Sequence, residues 1–435
     1  MMLTVIIAIA VSAFILLALW RLDLAVVAVT GLLPTYLVRV ELGGIPFTLL
    51  ELFIISLAVI FFVRHRLYRL SYLKTALDKV PFKLATAVFF AAATLAVLVS
   101  PDLRAALGEW RAYFVEAIVF YIIFVNVIKS RQQVKFVLYA LGSSALVVSA
   151  YAIIQSFTGW GIPDPWSVAE LRRVTAWYGY PVAVALFLAP IVGLFSGLLV
   201  FAKNSKIAPA WSFSLVVIIL GTLSVFYTHS RGALVAIILG LAVLSFFTKY
   251  RWWLVGLVVL AIIVLAVMPG VSDRFLDVFQ GEDNSTNVRF VMWQGTWRLL
   301  TDHWLFGAGL AGFPQLYDVY REARHTELLL YPHNIILNFW VELGLVGLAA
   351  FVWLVILFFR RVRRAYQRQV DKALVLGTMA AMIILLVHGL IDVPYFKNDL
   401  AILFWILIGL LSAGLGFKAI TSVNKKVGQK SLTSQ

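Results

Sequence analysis

Cysteine is absent from the 435 residues, which excludes disulfides and every thiolate metal site. Charge is scarce too. Only 13% of residues are Asp, Glu, Lys or Arg, against roughly 25% in an ordinary soluble domain, while 62% are hydrophobic. That balance excludes an aqueous globular protein. No internal repeat is visible, and no low-complexity segment lies outside the Lys/Ser/Gln-containing tail at 418–435. What fills the chain instead is apolar runs near the ~20 residues that a membrane-crossing helix needs. They fall at 84–100, 114–128, 134–156, 182–202, 212–228, 232–247, 252–268, 335–359, 373–391 and 399–417. The sequence therefore predicts an all-α, polytopic integral membrane protein, one membrane domain over 1–435, with about 12 or 13 transmembrane helices. The run at 3–20 lacks the small-residue cleavage site of a signal peptide and reads as a retained helix. The stretch at 24–38 is open between a second span and a re-entrant piece.

Acids are the rarer sign, 21 against 36 basic residues, for a formal net charge of +15. Lys and Arg gather in alternate connections, at 64–83, 129–135, 203–206, 249–251, 360–372 and the tail. This is the positive-inside pattern, which puts those connections and the tail in the cytoplasm and the intervening ones outside. The excess charge marks membrane topology rather than a nucleic-acid partner, and membrane lipids are the expected surroundings.

One outer connection stands apart. Residues 269–332 form an outer loop long enough to need its own structure. Asn284-Ser-Thr-Asn287 reads as a helix start, and Val288, Val291, Met292, Trp293, Trp297, Leu299 and Leu300 give an amphipathic helix of about three turns. It either lies on the membrane surface or packs on the core; both fit. Gly307-Ala-Gly309-Leu-Ala-Gly312 ends it.

The candidates for chemistry lie on this outer side. Pro332-His333-Asn334 opens a helix on which Asn334, Asn338 and Glu342 recur every fourth residue, one face below His333. Polar residues in a membrane helix face a protein interior or a water-filled cavity, so the stripe reads as a polar substrate's binding wall or as a satisfied packing face. Arg231, in Thr228-His-Ser-Arg-Gly232, opens another helix at the outer boundary. It serves either as a snorkelling anchor or, with the exposed N–H groups of that first turn, as an anion site. Arg289 sits near the start of the loop helix, where the helix dipole disfavours a cation and an anionic ligand would compensate. With Arg172 and Arg173 in another outer loop, these cations point to an anionic head group. Metal-ligand spacing is missing from the outer loops, so neither metal nor cofactor is expected. His388 and Asp392, one turn apart, form a packing hydrogen bond or a relay. Glu51 and Glu116, inside apolar runs, carry no assigned role.

Taken in order, Arg173-Val-Thr-Ala, Ser230-Arg231-Gly232-Ala-Leu-Val-Ala, Arg289-x-x-x-Trp293, Trp304-Leu-Phe-Gly307-Ala-Gly309 and Pro332-His333-Asn334 with Glu342-x-Gly344-x-x-Gly347 resemble the O-antigen ligase/O-antigen polymerase family, from about 170 to 395. The resemblance implies a GT-C-type glycosyltransferase that takes a glycan from an undecaprenyl-diphosphate carrier on the outer face without a metal ion. It further implies that Arg231 and Arg289 hold the diphosphate and that His333 is essential. The acceptor would be lipid A core for a ligase, or another carrier-linked glycan for a polymerase. Where the family often has Gly-x-x-x-Asn-Pro-Asn, this chain has Trp-Tyr-Gly-Tyr-Pro-Val-Ala at 177–183. The residue chemistry is compatible. Guanidiniums in a low-dielectric site stabilise charge building on a leaving diphosphate oxygen. Histidine, which titrates near neutrality, suits the base that takes the acceptor's proton, and one displacement inverts the anomeric centre. Arg172, Arg173, Asn334, Asn338 and Glu342 are the remaining substrate-binding candidates. A flippase would instead spread its charges across the whole bilayer, whereas here they concentrate outside.

Overall fold

The computed structural model describes residues 2–168, 172–249, 251, 252, 256, 284–322 and 330–414. The apolar runs become helices close to their expected limits. They are α1 (Met2–Trp20), α2 (Leu22–Gly31), α3 (Leu49–Arg64), α4 (Leu70–Asp78), α5 (Lys83–Val99), α6 (Leu103–Val127, with a π-helical turn at Trp110–Val115) and α7 (Arg131–Thr158). Then follow α8 (Pro181–Val200), α9 (Trp211–Tyr227), α10 (Arg231–Ser245), α11 (Asn284–Asp302), the short α12 (Phe313–Tyr317), α13 (Ile335–Gln367), α14 (Lys372–His388) and α15 (Asn398–Gly414). Polar caps set several starts: Thr48 with Glu51 and Ser130 with Gln133 close capping boxes on α3 and α7.

The all-α, membrane-spanning class holds, with apolar helices of unequal length. Among the described residues five helices, α1, α6, α7, α8 and α13, are long and apolar enough to cross a membrane, or six if the bent pair α4–α5 is one span. Five more, α2, α9, α10, α14 and α15, are apolar but shorter. At 24–38 the reason is visible: α2 stops at Gly31, a 3₁₀ turn follows at Leu33–Leu37, and the chain then forms an antiparallel hairpin of β1 (Arg39–Leu42) and β2 (Ile45–Thr48). An apolar run does not oblige the backbone to stay helical when its neighbours supply hydrogen bonds by another route. Most of the run at 252–268, the loop portions at 269–283 and 323–329, and the tail at 418–435 lie outside the described residues.

α8 forms the centre. Its apolar sequence is buried nearly throughout, as expected for a helix hydrophobic on all sides. It packs on α14, α9 and α10. Contact with α14 runs through small residues: a methyl group added at Gly197 would overlap the backbone of Gly377, and one added at Gly193 would press on Ala380. In lipid, where apolar side chains gain little by leaving the solvent, such close backbone approach is what holds helices together.

α11 begins where the sequence placed it, at Asn284, but runs to Asp302, longer than three turns. Leu299 and Leu300 near its end are buried with Val341 of α13, which prolongs it. The glycine segment after it then docks onto α13. Ala308 donates its backbone N–H to Val341 (2.7 Å), Leu345 donates to Leu305 (3.0 Å), and Trp340 donates its indole N–H to the Trp304 carbonyl (2.6 Å). Gly344 interrupts α13 with φ 70° and faces the Leu305 carbonyl, where a Cβ would overlap the loop backbone. Gly344→Ala is therefore expected to cost about 1–3 kcal/mol from the left-handed backbone alone, and more from the overlap. A thermal midpoint lowered by several degrees in detergent checks this; an unchanged midpoint counts against the docking.

The alternating basic connections yield a labelling prediction. Val319, exposed after α12, and Gln367, at the end of α13, lie in connections assigned to opposite faces. In this cysteine-free chain, Val319→Cys should react with an impermeant thiol reagent on intact cells, and Gln367→Cys only after permeabilisation. The reverse pattern would invert the assignment of the outer face.

Candidate functional site

Pro332 and His333 precede α13, and their position follows from local hydrogen bonding. Asn334 caps the helix, its side-chain oxygen accepting from the N–H groups of Ile336 (2.9 Å) and Leu337 (3.1 Å). Its amide donates to the Leu390 carbonyl (2.8 Å), and Ile335 donates its N–H to the Gly389 carbonyl (2.6 Å). The start of α13 is thus sewn to the connection after α14. His333 itself has φ 46°, in the left-handed region that a non-glycine residue seldom adopts and that clusters at functional sites. Its side chain is 29% exposed, enough to be reached from outside, and its Nδ1 lies 3.6 Å from a carboxylate oxygen of Asp392, which is 4% exposed.

Arginine reaches this segment from two other directions. Trp293 of α11 donates its indole N–H to the Pro332 carbonyl (2.8 Å), and Arg289, one turn earlier, shares that helix face. Arg289 acts electrostatically on both Tyr331 and His388, and its Nε is buried without a hydrogen-bond partner. Arg231 is the first residue of α10, with Ser230 as N-cap. The neighbouring Gly232 packs so tightly on Ile391 and His388 that a Cβ there would displace the Ile391 side chain. The start of α10 and its N–H groups therefore lie against the segment that carries Asp392. Three stretches far apart in sequence, at 229–232, 289–293 and 331–334, meet around 388–392.

The other expected residues divide. Arg173 donates its Nε to the Thr228 carbonyl (2.9 Å) and lies 4.8 Å above the Trp166 ring, bracing the turn before Arg231. Arg172 points elsewhere: it donates to the carbonyls of Ser156 and Phe157, each at 3.3 Å, at the C-terminus of α7, where the helix dipole favours a cation. Asn338 is buried one turn below Asn334, and its side-chain oxygen has no hydrogen-bond partner. Glu342, a turn deeper, accepts from the Ala311 N–H (2.8 Å), joining the docked glycine segment rather than the neighbourhood of His333. The stripe on α13 is thus a gradient, with its upper end at His333 and its lower end committed to the loop.

Asp392 was legible only as a neighbour of His388. Burial works against its charge, yet contact with His333, the charges of His333 and His388, and the Val393 N–H (2.9 Å) hold its carboxyl below the ordinary carboxylate range. Three residues nearby carried no assigned role in the sequence. Tyr331 sets its ring 4.5 Å from that of His333 at a tilt of 51°, and Tyr180 is within hydrogen-bond reach of Tyr331. Burial pushes both phenols up, so they are neutral donors at neutral pH. Lys397 lies 4.0 Å over the Tyr180 ring and is pushed down to about 8 by burial, against the pull of Asp399 and Asp392. No spacing rule connects these residues, which lie far apart in the chain. Among the described residues, no three His, Asp or Glu side chains gather closely enough to hold a metal ion.

The site therefore offers cations and helix N–H groups for an anion, with a partly exposed imidazole backed by a carboxylate. Residues 215–352 match the family model described as O-antigen ligase, and no curated protein matches the chain. The matched stretch holds Arg231, Arg289 and His333. Over that stretch the chain is similar to the O-antigen ligase family.

Proposed function

We propose that the protein transfers a glycan from an undecaprenyl-diphosphate carrier to an acceptor hydroxyl at the outer face of the inner membrane, as an O-antigen ligase whose acceptor is lipid A core. The observation that carries this reading is the meeting of Arg231, Arg289 and His333 around Asp392. Arg231 and Arg289, with the N–H groups at the start of α10, hold the diphosphate and take up the charge that builds on its oxygen as the bond to the sugar C1 breaks. His333 accepts the proton of the acceptor hydroxyl through Nε2, because Nδ1 faces Asp392. The hydroxyl oxygen bonds to C1 from the side opposite the diphosphate, so the anomeric configuration inverts. Two fixed guanidiniums do the work that a divalent cation does elsewhere, and the reaction is metal-independent.

Purified protein given a defined carrier-linked glycan, with lipid A core or a second carrier-linked glycan as acceptor, tests the reading by identification of the product. Elongated carrier-linked glycan in place of glycosylated core would make it a polymerase, and no product with either acceptor would reject the activity. EDTA should leave the rate unchanged; inhibition that added Mg²⁺ restores would remove the metal-free mechanism.

Asp392 acts through His333. Asp392→Asn keeps shape but lets the amide present an N–H to Nδ1, favouring the wrong tautomer. A fall in kcat of about 10-fold or more with KM little changed is expected. Because the carboxyl titrates below the ordinary range, its contribution should persist through mildly acidic pH and disappear only as the pH falls through that lowered value. Equal loss of kcat and protein stability in Asp392→Asn would reduce the residue to a packing role.

A further inference from the structure

The end of the bundle opposite His333 carries a second concave cationic site. Arg360, Arg361, Arg364 and Arg368, at the close of α13, surround a cavity of about 230 Å³ whose other walls are Phe82 and Leu357. Arg360, Arg364 and Arg368 recur at every fourth residue, a spacing at which like charges repel along a helix. The helix C-terminus offsets part of that repulsion, but not the convergence of four guanidiniums on one hollow. Arg361 stacks over the Phe82 ring at 5.6 Å, and its Nε is buried without a hydrogen-bond partner. Phe82 stands at the 107° elbow between α4 and α5 with φ 61°, a left-handed conformation rare for a bulky side chain. Among the described residues, no acid lines the cavity. The acids nearest in sequence are engaged elsewhere: Asp78 pairs with Lys83 (2.7 Å), and Asp371 accepts from Ser205 Oγ (2.8 Å) and the Lys206 N–H (3.1 Å).

Positive-inside topology explains how many basic residues this connection has, but not where they point. A charge needed for topology alone can extend into water, yet Arg361 is half-buried and shares one hollow with the exposed Arg360, Arg364 and Arg368. Guanidiniums brought together around a hollow, one with a buried unsatisfied N–H, need an oxyanion that accepts several donors at once. We propose that this cavity binds the phosphate group of an anionic phospholipid from the leaflet on the basic side of the membrane. Forked hydrogen bonds from Arg361 and Arg364 hold its oxygens, and its acyl chains leave past Leu357 into the bilayer. A free polyphosphate presents the same oxygens, so the two sources are separated by experiment.

Full-length protein in phosphatidylcholine nanodiscs, with phosphatidylglycerol added or pyrophosphate titrated, provides the measurement: ligand affinity, and the unfolding midpoint with and without ligand. Phosphatidylglycerol should raise the midpoint of the wild type, and Arg361→Gln with Arg364→Gln should weaken its binding ~10-fold or more. Arg363→Gln with Lys372→Gln removes the same charge outside the cavity and should leave binding nearly intact. If the Gln pair inserts poorly, Arg361→Lys with Arg364→Lys keeps the charge and the topology but loses the fork, and should still weaken binding. A midpoint that responds to pyrophosphate and not to phosphatidylglycerol would keep the site and assign it to a soluble phosphate. Binding of neither anion, or equal weakening by the two Gln pairs, would overturn the proposal, the second outcome by showing diffuse attraction to basic loops.

Discussion

Replacing His333 with alanine is expected to leave a folded, membrane-inserted protein that still binds the carrier diphosphate but transfers glycan at least ~100-fold more slowly, the scale of a lost general base. Folding should survive because the helix start does not depend on the imidazole. Asn334 supplies the cap, and the Ile335 and Asn334 bonds to Gly389 and Leu390 set the position. One complication is the left-handed backbone of His333, which alanine also resists. His333→Asn avoids it, since asparagine tolerates that conformation while offering no base of comparable strength. Both variants should bind carrier-linked glycan like the wild type in an equilibrium assay and fail at turnover. Wild-type rates in both would make His333 a structural residue of the helix start and remove it from the chemistry.

The second large effect belongs to the arginines. Arg231→Lys and Arg289→Lys each keep a positive charge, yet each should lower the rate by about 10²–10³-fold, the cost of removing a preorganised donor from a developing oxyanion. A lysine brings one compact ammonium, whereas a diphosphate oxygen pair is matched by the planar guanidinium fork. Arg289 is the more telling of the two. Among the described residues its buried Nε has no hydrogen-bond partner, so an acceptor placed there would recover the energetic penalty of leaving it unpaired. Weaker carrier binding should accompany its rate loss. If both Lys variants turned over normally, the cations would be generic anchors at the membrane surface.

Much of this arrangement could be read from the residue order, for a physical reason. Apolar runs and the residues that end them are local properties, so α5, α8, α10 and α13 begin within a residue or two of their expected starts. Arg231 at the first position of α10, and Asn334 capping the helix after His333, follow from the same local rules. What sequence spacing does not carry is which helix ends share a neighbourhood. Arg172 and Arg173 are adjacent in the chain, yet one caps α7 and the other braces Thr228, because successive side chains in extended backbone point to opposite sides. Glu342 shares a helix face with Asn334, but Ala311 claims it from a loop whose docking no periodicity encodes. Asp392 meets His333 across a gap of nearly sixty residues, a contact made by the packing of α13 against the connection after α14.

The break at Gly344 divides the helix that carries the site. At ~1.5 Å per residue α13 would be about 50 Å long, well beyond the roughly 30 Å of a bilayer's hydrocarbon core, and residues 345–367 alone supply about 35 Å. The short outer piece is held by its bonds to the glycine segment and to Gly389 and Leu390, so it belongs mechanically to the outer cap of the protein. The longer inner piece is the part that faces the thickness of the membrane. When that thickness changes by a few Å, tilting is the ordinary response of a spanning helix. Here a tilt can be taken up at the non-helical joint instead of being passed on to His333. Glycosyl transfer should accordingly be nearly constant across bilayers of different chain length, although the helix beneath the site must adjust to each one.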